Sequence, residues 1–182
     1  MWLYIIIAIV VLLIAFLVAY NGFVKENNKV KEAFATMDVY LKKRWDLIPN
    51  LVETVKGYAK HEKGTLEEVV KLRNGAYDKM STDEKIENNA KLSAGITKIM
   101  ALAESYPELK ANQNFLTLSS DLSNVEADIA NSRKYYNGAV KIFNNKVMMF
   151  PSNIVANILG YKEQKMYEVD SDEERKNVKV QF

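Results

Sequence analysis

The chain has 182 residues, 48% hydrophobic and 26% charged, with only seven Gly and three Pro. That is about one domain of sequence, and it excludes disordered, collagen-like and proline-rich classes. The absence of cysteine removes disulfides, thiolate zinc sites, iron–sulfur clusters and thiol catalysis, and a single histidine leaves little for a histidine-based metal site. The net charge of +2 comes entirely from residues 25–182, because 1–24 carry no charge; a nearly neutral soluble part argues against nucleic acid as a partner.

Trp2 to Tyr20 (WLYIIIAIVVLLIAFLVAY) is an uncharged apolar run of 19 residues. As a helix it spans about 28 Å, close to the ~30 Å hydrocarbon core of a bilayer. Trp2, Tyr4 and Tyr20 lie near its ends, where amphipathic rings favour the interface. A buried core helix is the rival reading, but a helix apolar on every face would need protein all round it. A cleaved signal peptide would need a basic leader, a shorter apolar core and a small-x-small site, and Val18-Ala19-Tyr20 fits that poorly. The expectation is an uncleaved anchor over 1–24. Lys25, Lys29, Lys31, Lys42, Lys43 and Arg44 all follow the run, so the positive-inside rule places the N-terminus outside and 25–182 in the cytoplasm. Lys25, Lys29 and Lys31 are candidates for anionic headgroups, although Glu26 and Glu32 interleave with them. Ala8, Ala15, Ala19 and Gly22 form a small-residue face, a candidate helix–helix contact for a homo-oligomer in the membrane.

Beyond the anchor the apolar positions step at helical spacing. The first stripe is Val30, Ala33/Phe34, Met37, Leu41, Trp45 and Ile48. Pro49 lacks an amide donor and clashes with the preceding turn, so a kink or restart is expected there. A second stripe runs Leu51/Val52, Val55, Tyr58/Ala59, Glu62, Leu66, Val69, Leu72, Ala76 and Met80. Ser81 to Glu84 reads as a capping box opening a third helix with Ile86, Ala90, Ser93, Ile96, Ile99/Met100 and Ala103; Tyr106-Pro107 ends it. The fourth stripe, Phe115, Leu118, Leu122, Val125, Ile129, Ser132, Tyr136, Ala139/Val140, Phe143 and Val147, keeps one seam until Phe150-Pro151. Ser152 to Leu159 predicts a short helix closed by Gly160 in the left-handed region. The apolar pattern then fades, and 162–182 reads as a polar tail. The expected fold is all-α, a transmembrane helix followed by an antiparallel four-helix bundle over 25–161.

Catalytic patterns fail one by one. A carboxylate-bridged metal pair needs Glu-x-x-His on two helices, and the single histidine, His61, has Tyr58 three residues before it. The second histidine of a zinc-protease helix is absent, since position 65 is Thr. No phosphate loop, Gly-x-Ser-x-Gly turn or kinase set occurs. No enzyme activity, metal or cofactor is expected. Asp38, Asp46, Glu53 and Glu126 fall on inner faces as candidate buried acids, with Asp38 and Lys42 spaced for an ion pair. Lys42-Lys43-Arg44 is a short basic run flanked by acids. Around Pro49 the polar residues Arg44, Asp46 and Asn50 suggest a helix junction, with Asp46 or Asn50 capping a helix that has Pro49 in its first turn. On that reading Asp46→Ala costs about 1 kcal/mol; the alternative is that the cluster faces a cleft and binds a partner.

DVYLKKRWDLIPNLVETVKGYAKHE (38–62), preceded by an apolar anchor, resembles the central motif of bacterial LemA proteins, and RKYYNGAVKIFNNKVMMFPSNIVANILGY (133–161) is similar to their second hallmark. Matching residues include Asp38, Leu41, Arg44, Asp46, Pro49, Asn50, Tyr58, Glu62, Tyr136, Asn137, Asn144, Phe150, Pro151 and Gly160, while Trp45 stands where other aromatic or polar residues are usual. The resemblance implies a single-pass protein of the bacterial plasma membrane with its N-terminus outside, a cytoplasmic four-helix bundle, and neither enzyme activity nor cofactor. One branch of that family is associated with magnetosome membrane formation. The favoured function is thus a membrane-anchored scaffold that binds itself or other membrane proteins. An enzyme or sensor with a polar site near Asp46, Asn50 and His61 is the first alternative, and a membrane-remodelling protein the second.

Overall fold

The computed structural model describes residues 1–59, 61–73 and 76–167. These form six α-helices, α1 (Trp2–Tyr58), α2 (Lys63–Leu72), α3 (Thr82–Ala103), α4 (Pro107–Lys110), α5 (Gln113–Met148) and α6 (Ser152–Leu159), with a 3-10 turn at Tyr77–Lys79 and no strand among the described residues. The fold is all-helical, and its first helix carries a stretch long and apolar enough to cross a membrane, none of it buried by protein.

α1 overturns the expected break at Pro49: the helix passes through the proline. Leu41, Trp45, Ile48, Leu51, Val52 and Val55 are buried on both sides of it. A proline inside a helix costs roughly 3 kcal/mol, whereas each buried aliphatic side chain contributes about 1.5–3 kcal/mol. Keeping three residues beyond the proline in register outweighs the cost. The break falls later. The Ala59 amide still bonds the Val55 carbonyl at 2.8 Å, and the Glu62 amide then closes a tighter turn onto Ala59 at 3.1 Å. Glu62 is the one charged member of the second stripe, so the apolar pattern weakens where the chain turns. That stripe is therefore not one helix: its start belongs to α1, Leu66 and Val69 are buried on α2, and Tyr77 is buried in the 3-10 turn.

The local signals at the other helix ends hold. The Ser81 hydroxyl accepts from the Glu84 amide while the Glu84 carboxylate accepts from the Ser81 amide at 2.7 Å, completing the capping box. Donations from the Ser81 amide and the Ser81 hydroxyl to its charged form hold the exposed Glu84 carboxyl below the usual carboxylate range. Pro107 opens α4, and the Asn112 side chain accepts from the Phe115 amide at 3.0 Å as α5 begins. Gly160, at φ 72°, closes α6.

The chain divides into two compact units. In the unit of residues 1–37 and 131–166 the core is aromatic. Phe23 stacks on Tyr161 with ring centres 5.2 Å apart and meets Phe143 edge-on at 6.4 Å, and Phe34 meets Tyr136 at 5.9 Å. The start of the expected polar tail is docked in this unit. The buried Asn144 amide donates to the Gln164 carbonyl and accepts from the Gln164 amide, both at 2.8 Å, much as a neighbouring strand would. The Tyr136 hydroxyl donates to the Lys165 carbonyl at 3.0 Å. The rest of that tail, 168–182, lies outside the described residues.

In the other unit, residues 38–130 with Tyr167, aliphatic side chains fill the core: Leu51 and Val55 from α1, Val69 from α2, Ile99 from α3, Leu109 from α4, and Val125 and Ile129 from α5. α3 turns Ile86, Asn89, Leu92, Gly95, Ile96, Ile99 and Ala103 inward, a face rotated from the expected stripe, which left out Asn89, Leu92 and Gly95. Gly95 allows close approach to α2: a Cβ there would stand 2.8 Å from Val69 Cγ2.

Candidate functional site

Among the described residues of the second unit Arg44 is the buried charge, 3% exposed. Its Nη1 donates to Asn89 Oδ1 at 3.0 Å and lies 3.0 Å from Glu126 Oε2. Asn89 Nδ2 in turn donates to the Tyr167 hydroxyl at 2.7 Å. Side chains from α1, α3, α5 and the segment after α6 thus join in one polar chain. Burial pulls the guanidinium below its usual range, and the Glu126 carboxylate pushes it partly back; an arginine stays charged at neutral pH regardless. Glu126, half in water, supplies that countercharge without full desolvation.

Above Arg44 lies an open cleft of about 450 Å³, walled by Ser93, Ile96, Thr97 and Met100 of α3 and by Ser119, Leu122, Ser123 and Glu126 of α5. Its chemistry is spare. The Ser93 and Thr97 hydroxyls donate to the carbonyls of Asn89 and Ser93 on their own helix, at 3.1 and 3.0 Å. Those two protons are engaged in the helix. Among the described residues no group of three or more His, Asp or Glu is placed to hold a metal ion.

A second cluster surrounds Tyr77. Its hydroxyl donates to Asp38 Oδ1 at 2.6 Å, Lys85 Nζ pairs with Asp38 Oδ2 at 2.7 Å, and the same ammonium sits 4.5 Å above the tyrosine ring. Burial and the bond to Asp38 push the Tyr77 hydroxyl well above the ordinary tyrosine range. Trp45 packs on this ring at 5.3 Å.

The residues expected to act together around Pro49 separate. Arg44 faces inward. Asp46, 51% exposed, pairs with Lys42 at 2.6 Å, so Lys42 turns to Asp46 and not to Asp38. Asn50 is exposed and accepts only through its carbonyl, from Thr54. With no helix starting at Pro49, neither Asp46 nor Asn50 has a helix end to cap, and the junction reading is wrong. His61 is exposed in the turn after α1. Asp46 lies twelve residues before the end of α1, about 18 Å along the axis, so Asp46, Asn50 and His61 form no common site. Glu53 is exposed on α1. Of the small-residue face, Ala8 and Ala15 are open and Ala19 is partly covered, while Gly22 is approached so closely by the Lys146 ammonium that a Cβ would collide with it.

Asn89 and Tyr167 were not singled out from the sequence. The available signal was a buried-face asparagine at helical spacing from Ile86 and Leu92 and an aromatic in a polar stretch, neither of which points to an arginine 45 residues away.

The LemA family model matches residues 33–182. Protein LemA of Metamycoplasma hominis is 25% identical over 162 residues, covering 84% of this chain and 73% of its own length. Magnetosome proteins MamQ 2 and MamQ 1 of Paramagnetospirillum magneticum are each 22% identical over 191 residues, covering 90% of this chain and 70% of theirs. With the family model spanning most of the sequence and both hallmark segments inside it, the chain belongs to the LemA family.

Proposed function

We propose that this chain is a non-enzymatic, single-pass scaffold of the bacterial plasma membrane, with its N-terminus outside and 25–182 folded in the cytoplasm as an antiparallel four-helix bundle that captures other membrane proteins or a second copy of itself. The observation that carries this reading is the state of residues 2–20: large apolar side chains such as Ile6, Leu12 and Leu17 are each more than half exposed on a continuous helix, and a bilayer is the environment whose thickness such a run matches. A structural role for the polar residues is supported by Arg44, which is bonded within the fold, and by the Ser93 and Thr97 hydroxyls, which donate to carbonyls of their own helix. Asp46 and Asn50, one turn apart on the exposed side of α1, are the face offered to partners.

Alkaline carbonate washing of membranes carrying the full chain tests the anchor: the chain stays with the membrane, and Ile9→Lys with Leu13→Lys releases it. Release of the unaltered chain would overturn the anchored reading. For the scaffold, Asp46→Lys and Asn50→Lys should reduce crosslinking to neighbours in the membrane while leaving helical content unchanged. Unchanged crosslinking would move the partner face elsewhere.

A further inference from the structure

α1 and α5 run antiparallel in the unit of residues 1–37 and 131–166, and three contacts set their register: Phe34 with Tyr136, Phe23 with Phe143, and Gly22 with Lys146. Both helices rise about 1.5 Å per residue. Met148, Met149 and Phe150, at the end of α5 and in the turn after it, therefore stand level with residues 18–20 of α1, inside the apolar run. These side chains are not covered by the protein: they are 52%, 62% and 79% exposed, and Ile154 and Ile158, one turn apart on α6, are 52% and 66% exposed. The hairpin that carries them is nonetheless firmly seated. Ala156 on α6 is fully buried, Tyr161 stacks on Phe23, and the Ser152 hydroxyl bonds the carbonyls of Lys146 and Met149 at 2.7 and 2.8 Å. Five exposed large apolar side chains within eleven residues of one well-packed hairpin are a concentration that a soluble domain rarely leaves in water.

We propose that the α5–α6 hairpin is a second membrane contact, with Met148, Met149, Phe150, Ile154 and Ile158 entering the headgroup–acyl boundary of the leaflet from which α1 emerges. The inference rests on residues 2–20 being a span, because the depth of the hairpin is read from its register on that run. Its occupant follows from that register: whatever surrounds residues 18–20 also surrounds Met149 and Phe150. The charge placement agrees. Lys146 Nζ sits 5.1 Å above the Phe23 ring, just beyond the end of the run, where an ammonium meets lipid phosphates and its stem covers apolar surface. A hairpin at that level reaches the few ångströms into the boundary that interfacial helices occupy, and it holds α5 against the membrane as well as α1.

The chain has no native cysteine, so single-cysteine variants at exposed positions can carry an environment-sensitive fluorophore. Phe150→Cys, Val11→Cys and Leu116→Cys of the full chain are labelled and placed in vesicles of phosphatidylcholine and phosphatidylglycerol containing lipids brominated at a shallow or a deep acyl position. The label at 150 should shift to the blue and lose at least half of its emission to the shallow quencher. The label at 11 should be quenched more by the deep one. Leu116 is exposed near the start of α5, 32 residues before that helix ends at Met148, and its label should be unaffected. If the label at 150 behaves like that at 116 while that at 11 is quenched, the span stands and the hairpin contact is overturned. An unquenched label at 11 overturns the span and the hairpin contact with it. A blue shift at 150 without quenching, growing with protein-to-lipid ratio, overturns the lipid contact in favour of a second copy covering the patch.

Discussion

Arg44→Ala tests whether one buried cation organises the helices of its unit. Removing the guanidinium strands Asn89 Oδ1 in a site where Asn89 is 5% exposed, and a buried acceptor left without a donor costs about 1–3 kcal/mol. The buried methylenes of the arginine stem contribute about 0.8 kcal/mol each. Against this, the desolvation cost of the guanidinium is no longer incurred. Glu126, with half its side chain in water, regains hydration at a cost nearer the 0–1 kcal/mol of a surface pair than that of a buried one. The balance is a destabilisation of about 2–3 kcal/mol. Glu126→Gln leaves Arg44 bonded to Asn89 but takes away the countercharge of a buried guanidinium. With the Gln amide oxygen and water still at hand it should cost about 1–2 kcal/mol, less than Arg44→Ala. Urea unfolding of the full chain in mild detergent, followed by the fluorescence of Trp45 and by far-UV circular dichroism, reads both variants. An Arg44→Ala midpoint indistinguishable from the parent, or a Glu126→Gln cost equal to that of Arg44→Ala, would refute the claim that the Arg44–Asn89 bond carries the network.

Other perturbations isolate single elements. Ser81→Ala removes half of the capping box and should cost about 1 kcal/mol, and the loss should fade as pH falls through the depressed pKa of Glu84, whose stabilisation is present above the unfolded value and lost below the folded one. Tyr77→Phe breaks the 2.6 Å bond to Asp38 and should cost about 1–2 kcal/mol at pH 8. Because the folded hydroxyl titrates above its unfolded value near 10, the parent loses stability as pH rises past 10 and the variant does not, so the gap between their urea midpoints should narrow there. Gly95→Ala gains up to about 1 kcal/mol of helix propensity, but the new methyl meets the stiff Val69 side chain at 2.8 Å and overpacking costs about 1–3 kcal/mol. A net loss is expected, partly recovered in Gly95→Ala with Val69→Ala, and a more stable Gly95→Ala would show that α2 moves freely away from α3.

Features written in a few adjacent residues were legible in advance. The Ser81–Glu84 box, the span of α6 and the left-handed Gly160 depend on local hydrogen bonds and backbone sterics, and the seam from Phe115 to Phe143 on α5 depends on helical period alone. Pro49 misled because a local penalty was weighed without the packing of Leu51, Val52 and Val55 that outweighs it. The network around Arg44 was invisible for a different reason. Asn89 and Glu126 are 45 and 82 residues away, and which of several polar residues near Pro49 turns inward is decided by tertiary register. Tyr167 and Gln164 carry no periodicity at all, since they follow α6 in a segment without regular secondary structure, where Gln164 is held by the Asn144 side chain.

The proposed topology has residues 2–20 crossing the membrane and 25–182 on the cytoplasmic side. Protease added to intact cells, and then to the same cells after lysis, measures this in one experiment by following an epitope placed after Phe182. The domain should survive intact on whole cells and be degraded only once the cells are opened. Degradation on intact cells would contradict the orientation, and recovery of the intact domain in the soluble fraction after lysis would contradict the anchor itself.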